Sequence, residues 1–180
     1  MFNQCMNGGD ILEMRDFIRP MGMADVPRVA DIHVFARRMT YYGILPDELL
    51  FKKMLIPESM AKISSTLEDK TTESYVYDDS IIKGFITIGP CHDEDNPNAF
   101  ELWSIYIDPL MQRQGIGTKL LNFWEERAAS RGYTEICVRT LDKNTTSRAF
   151  YEKMGYTTDG HKKFIESIDA YNIRYSKTLA

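Results

Sequence analysis

The sequence predicts a mixed α/β (α+β) fold, one domain of helices packed around a single sheet. Three observations lead there. Read in order, the periodicities give β-α-α-β-β-β-α-β-α-β-β. One segment, Phe100 to Ile107, leaves little polar surface, as a central strand covered on both faces would. The chain has 180 residues, 43% hydrophobic and 27% charged, which is the size and composition of one globular domain.

Each element has a local reason. Residues 1–14 are crowded with Asn3, Gln4, Asn7, Gly8 and Gly9 and read as a loose extension before a domain over 15–180. Arg15-Asp16-Phe17-Ile18-Arg19 alternates as a first strand and stops at Pro20. Val26, Val29, Ala30, His33 and Val34 fall on one helical stripe, and Gly43 breaks that segment. Pro46-Asp47-Glu48 reads as the first turn of a second helix carrying Leu49, Leu50, Met54 and Leu55, with residues 57–69 ambiguous. Ser74–Tyr77 and Ile81–Ile88 form a hairpin turning at Asp78-Asp79-Ser80. An acidic loop from Cys91 to Asn98 leads to the strand over 100–107.

Asp108-Pro109 closes that strand, and a glycine turn opens a helix with Leu120, Leu121, Trp124 and Ala128 at core spacing. Glu135–Arg139 is the next strand. Asn144 caps a helix carrying Ala149, Phe150 and Met154, closed by Gly155. Two last strands are expected near Tyr156–His161 and Ile173–Lys177.

Composition narrows the function. Lys and Arg number 22 against 26 Asp and Glu, a net charge of −4, which argues against sequence-independent nucleic-acid binding. No stretch approaches the ~20 apolar residues of a membrane span. No secretory signal is visible at the start. Cys5, Cys91 and Cys137 lack zinc spacing and read as free thiols of a reducing cytosol. Cys91-His92-Asp93-Glu94-Asp95 reads as a solvated turn rather than a metal site. His33 and His161 read as packed or surface histidines.

Two segments carry the chemistry. Gln112-Arg113-Gln114-Gly115-Ile116-Gly117, followed by Thr118, sits between a strand and a helix. Such a turn presents backbone N–H groups at the positive end of the helix dipole, which suits a phosphate. It fits neither a dinucleotide fingerprint, since Leu120 stands where a third glycine is needed, nor a P-loop. A tight turn without a ligand is the alternative. The second segment runs from Asn144 through Ser147 to Phe150-Tyr151-Glu152-Lys153-Met154-Gly155-Tyr156. Ser147 and Tyr151 share a helix face, and a capped helix with packed aromatics is the plainer account.

Together and in this order, the two segments resemble the GNAT superfamily of acetyl-CoA-dependent N-acetyltransferases. The detailed match covers residues 100–156. The resemblance implies a mostly antiparallel central sheet flanked by helices and splayed between its two central strands. It implies acetyl-CoA as co-substrate, no metal, and no covalent enzyme intermediate. Ile105, Tyr106 and Ile107 would hold the pantetheine arm through their backbone. Gln112, Arg113, Gln114, Gly115, Ile116, Gly117 and Thr118 would cradle the pyrophosphate, and Asn144 would contact the cofactor arm. Tyr151 would protonate the leaving thiolate, a role its unperturbed pKa of ~10 suits. Glu101 would be the base for the acceptor amine, with a solvated strand-end carboxylate as the alternative. Ser147 departs from an alanine common in the family.

In this family the acceptor site is lined by the first two helices and the far strand loops. That implicates Tyr41, Tyr42 and Trp103, together with Met54 and residues 161–172. For the tyrosines, helix-end packing is the alternative. The leading expectation is a cytoplasmic acetyltransferase for a small-molecule amine, binding neither nucleic acid nor membrane and compatible with a homodimer. The rivals are a protein N-terminal or lysine acetyltransferase, which wants an open groove, and a non-catalytic acyl-CoA-binding module.

Overall fold

The structure, a computed structural model, describes residues 17–179. The expected extension over 1–14, together with Arg15 and Asp16, lies outside them. Seven strands form one sheet: β1 (Ile18–Pro20), β2 (Glu73–Asp78), β3 (Ile82–Pro90), β4 (Phe100–Ile107), β5 (Glu135–Leu141), β6 (Lys162–Ile165) and β7 (Ala170–Thr178). Their order is β1-β2-β3-β4-β5-β7-β6, with β4 and β5 parallel and every other pair antiparallel. The helices are α1 (Val26–Tyr41), α2 (Ile56–Glu68), α3 (Ile116–Ser130) and α4 (Thr145–Lys153).

Helices cover both faces, so the sheet has two cores. α3 sends Ile116, Leu120, Leu121 and Trp124 onto Ile86, Ile88, Phe100, Leu102, Ile136 and Val138, and α4 adds Tyr151. α1 and α2 cover the opposite face with Val26, Val29, Ile32 and Ile63 against Val76 and Phe85. A third cluster joins Leu45 and Leu50 to Leu141, with Ile165 and Ile168 packed on it. That cluster ties the segment after α1 to the β6–β7 hairpin across the end of β5.

The expected helix after Pro46 is present but short: residues 47–53 are helical, widening over Leu49–Lys53, and α2 begins at Ile56. The Arg38 guanidinium takes the carbonyls of Leu50 (3.0 Å) and Met54 (2.9 Å), and Met54 leaves helical geometry at ψ 76°. The penultimate strand is not Tyr156–His161 but Lys162–Ile165. Thr157 makes only an isolated bridge to Ser176, and Gly160 at φ 80° turns the chain away.

Two irregularities in β4 position everything that follows. Ile88 faces Leu102 while the preceding Thr87 faces Ser104, so Trp103 is an extra, bulged residue. A bulge reverses the alternation of side chains beyond it. Leu102 before it and Ile105 and Ile107 after it all meet the α3 core, while Tyr106 turns to the α1 side. The second irregularity is at the partner strand. β4 pairs with β5 only at Phe100–Leu102 against Ile136–Val138. From Trp103 and Arg139 onward the two strands diverge, as the resemblance implied.

The α3 interface makes a direct stability test. Leu121 is fully buried, so Leu121→Ala should cost about 2–5 kcal/mol in a urea titration.

Candidate active site

A cavity of about 710 Å³ opens beside this divergence. Its walls include Glu101, Trp103, Ser104 and Tyr106 of β4, and Arg139, Thr140 and Leu141 of β5. Because of the bulge, Glu101 and Trp103 before the reversal share this wall with Ser104 and Tyr106 after it. α1 contributes His33, Arg37 and Tyr41, α2 contributes Lys62, and the β6–β7 hairpin contributes Lys163, Ile168 and Asn172. Trp103 lies flat over Gly89, where any Cβ would come within 3.0 Å of the indole. The indole N–H donates to the Pro90 carbonyl at 3.0 Å.

Glu101 is buried but not idle. Its Oε2 accepts from the His92 backbone N–H at 2.9 Å and meets the His92 ring at Nδ1 at 2.8 Å. Oε1 takes no hydrogen bond among the described residues, and the side chain lines the cavity. The His92 ring lies 4.1 Å from that of Trp103, centroid to centroid. The expected solvated turn over Cys91–Asp95 is therefore corrected. Asp93 is buried and paired with Arg139 and Arg174, and Asp95 pairs with Arg174 at 2.8 Å. These pairs clamp the loop to β5 and β7 and so hold His92 over Glu101.

Cys137 faces Glu101 across the strand pairing, with Cys91 Sγ 3.3 Å from Cys137 Sγ. The two sulfurs and a Glu101 oxygen lie within 4.8 Å of one another. Burial pushes both thiols up, so they stay protonated and make poor nucleophiles and poor metal ligands.

Three tyrosines converge at the divergence of the strands. Tyr41 is pushed up by burial and then by Tyr106, and Tyr151 by burial and then by Tyr106. Both hold their protons at neutral pH. Tyr151 packs among Tyr156 and Tyr175, whose hydroxyls are committed to Glu125 and Glu152. The Tyr151 hydroxyl has no hydrogen-bond partner among the described residues. Tyr42, by contrast, is 68% exposed, packs edge-on against Phe51, and is not part of the cavity wall. Met54 belongs to the third apolar cluster.

On the other face, the turn before α3 is built as a cradle. Arg113 (φ 66°) and Gly115 (φ 78°) are both left-handed, which turns successive amides to one side. From Gln112 through Thr118 no backbone N–H has a partner among the described residues; the first helical bond is Lys119 N–H to Gly115 O. A Cβ on Gly115 would meet no atom within 4 Å, so the concavity is open. Unpaired amides at a helix N-terminus fit the pyrophosphate of acetyl-CoA. Asn144 is buried and committed within the chain. Its Oδ1 caps α4 through the Ser147 N–H (3.1 Å), and its Nδ2 donates to Ser147 Oγ (2.8 Å) and Thr140 Oγ1 (3.4 Å).

Sequence reasoning missed His92, Arg139 and Arg37. His92 has a signal in the acidic string, and Arg37 one in its place on the helical stripe that carries His33. His33 was expected to be packed or on the surface. It bonds Ser59 Oγ at 2.7 Å, lies edge-on to Tyr106 at 5.0 Å, and forms part of the cavity wall. Burial, and then Arg37 and Lys62, hold it neutral down to about pH 3.

Two measurements check this geometry. Gly115→Ala should strain the cradle, lowering stability by about 1–2 kcal/mol and weakening acetyl-CoA binding in a calorimetric titration. His33 gains a proton on unfolding anywhere between pH ~6.5 and about 3, so stability must fall as pH drops through that window. In His33→Gln the decline of Tm between pH 6.5 and 5 should flatten.

Comparison with known proteins agrees with this architecture. The chain is similar to an uncharacterised N-acetyltransferase of Bacillus subtilis, YuaI, at 26% identity over 142 residues, which is 75% of this chain and 76% of that one. The PaiA N-acetyltransferase of Thermoplasma acidophilum, solved in complex with coenzyme A, superposes at TM-score 0.68 with 20% identity, covering 87% of this chain and 96% of that one. A ribosomal-protein-alanine N-acetyltransferase from Brucella melitensis gives TM-score 0.67 at 22% identity, over 90% and 99% of the two chains. The two solved structures, both below 25% identity, bear on the fold. The family model described as Acetyltransferase (GNAT) family matches residues 42–156, which include the β4 and β5 walls of the cavity, the cradle and α4: the chain belongs to that family and is an acetyl-CoA-dependent N-acetyltransferase.

Proposed function

We propose that the protein transfers the acetyl group of acetyl-CoA to a primary amine of a small molecule by direct attack within a ternary complex. The observation that carries this reading is the cavity. About 710 Å³ falls within the ~300–1,000 Å³ usual for small-ligand sites. It is walled by α1, α2, β4, β5 and the β6–β7 hairpin. A protein N-terminal amine or lysine is the second reading; the Brucella neighbour is named a ribosomal-protein-alanine N-acetyltransferase.

Acetyl-CoA supplies an acyl carbon and a thiolate leaving group. The cradle from Gln112 to Thr118 holds its pyrophosphate. The edge of β4 from Trp103 to Ile107, unpaired toward β5, holds its arm by backbone hydrogen bonds. Glu101 Oε1 takes the proton of the incoming ammonium, while His92 orients the carboxylate through Oε2. Tyr151 gives its hydroxyl proton to the leaving thiolate as the carbon–sulfur bond breaks and the carbon–nitrogen bond forms. Burial raises its pKa, so the hydroxyl carries its proton at neutral pH. Asn144 acts by position, since it fixes the start of α4 and thereby Tyr151.

The test is turnover at saturating acetyl-CoA, read by mass spectrometry of acetylated amines. Glu101→Gln and Tyr151→Phe should each lower kcat about a hundredfold or more, with acetyl-CoA affinity retained. Full kcat in Tyr151→Phe rejects the general-acid role. Acetylation of peptides with no small amine turned over moves the reading to a protein acceptor.

A further inference from the structure

The chain carries a net charge of −4, yet its cavity is basic. Arg37, Lys62, Arg139 and Lys163 line it, against Asp93 and Glu101. Both acids already carry a partner, and only Glu101 Oε1 is open. Asp93 is paired with Arg139 and Arg174, and Glu101 holds His92. Arg37, Lys62 and Lys163 have no carboxylate partner among the described residues. The Arg37 Nε is buried with no hydrogen-bond partner among the described residues, its guanidinium 5.8 Å from the centre of the Tyr41 ring. Three cations from three different elements, α1, α2 and β6, thus reach one cavity with nothing to neutralise them.

Of the three, Arg37 is partly desolvated and unpaired, which is costly unless a ligand supplies the anion, while Lys62 and Lys163 are exposed and add charge at the mouth. Arg37 and Lys62 are close enough to His33 for their charges to help keep its ring neutral. A polyamine would set further ammonium groups against these three cations, with no free carboxylate beyond Glu101 to receive them, and like-charge juxtaposition rejects such a ligand. The coenzyme's phosphates do not account for the cations, because no cradle residue from Gln112 to Thr118 lines this cavity.

We infer that the acceptor is an amine that also bears an anionic group, a carboxylate or a phosphate, held by Arg37, Lys62 and Lys163 while its amine faces Glu101. The inference rests on the acetyl-transfer reading of the same cavity. It places amino acids and amino-sugar phosphates ahead of polyamines and of uncharged amines.

The experiment is kcat/KM for matched pairs with acetyl-CoA saturating: free amino acids against their amides, amino-sugar phosphates against the parent amino sugars, and spermidine. Charge-assisted contacts predict a preference of about 10- to 100-fold for the anionic member of a pair. The pair that shows it identifies carboxylate or phosphate. In the double variant Lys62→Met/Lys163→Met, both at exposed positions, the preference should shrink toward unity. Equal or better use of the uncharged members, or of spermidine, overturns the inference while leaving acetyl transfer intact. If no amine is turned over although acetyl-CoA binds, the acetyl-transfer reading fails. Calorimetric titration of the CoA-loaded protein with N-acetyl amino acids, N-acetyl-amino-sugar phosphates and their uncharged analogues then decides the inference alone. Tighter binding of the anion, weakened in the double variant, supports it; equal binding or none overturns it.

Discussion

The hydrogen bonds that β4 and β5 do not make govern this molecule. Two adjacent parallel strands in the middle of a sheet normally pair along their length, since a buried unpaired backbone group is costly. Here they pair over Phe100–Leu102 and then separate, leaving β4 from Trp103 onward with one open edge. The sheet keeps its integrity because each strand is secured on its other side, β4 to β3 and β5 to β7, along nearly its whole length. The edge thus left open is a ready template for an extended amide-bearing ligand. On one face of the divergence stands the cradle before α3, and on the other the cavity. In the proposed reaction the acetyl group meets the amine in the gap itself.

Fixing that gap takes more than the two strands. The bulge at Trp103 puts four β4 side chains on the cavity wall where strict alternation would divide them between the two faces. The Asp93, Arg139 and Arg174 pairs fasten the loop after β3 to β5 and β7, and that loop delivers His92 to Glu101. Buried ion pairs add little net stability compared with apolar packing, but breaking one is severe. Their use here is positional. They commit Arg139 to Asp93 and leave Arg37, Lys62 and Lys163 as the cavity's free cations.

The sequence made the frame and the cradle legible for a physical reason. Local period and local capping are written in neighbouring residues. The hairpin β2–β3, the run Phe100–Ile107, the helix after Gly117 and the Asn144 cap all follow from such local signals. What was not legible depends on contacts distant in sequence. Arg38 takes the carbonyls of Leu50 and Met54, 12 and 16 residues away, at the end of the short helix after Pro46. Asp93 meets Arg174 across 81 residues, so an acidic string that reads as a solvated turn is instead a clamp. Tyr41 and Tyr42 are neighbours in sequence, yet helix phase puts one in the cavity wall and leaves the other in solvent. The charge of the cavity also cannot be read from composition, because an acidic chain here brings three cations without carboxylate partners to one cavity.

The claim that the unpaired edge of β4 receives acetyl-CoA is tested most directly by residue-resolved amide hydrogen exchange, with and without the coenzyme. The account predicts that amides within Trp103–Ile107 on the β5 side exchange quickly in the free protein and become strongly protected on binding, together with those from Gln112 to Thr118. Amides already paired between β2 and β3 should change little. Protection of the cradle without any gain along β4, or strong protection of β4 in the free protein, would contradict it.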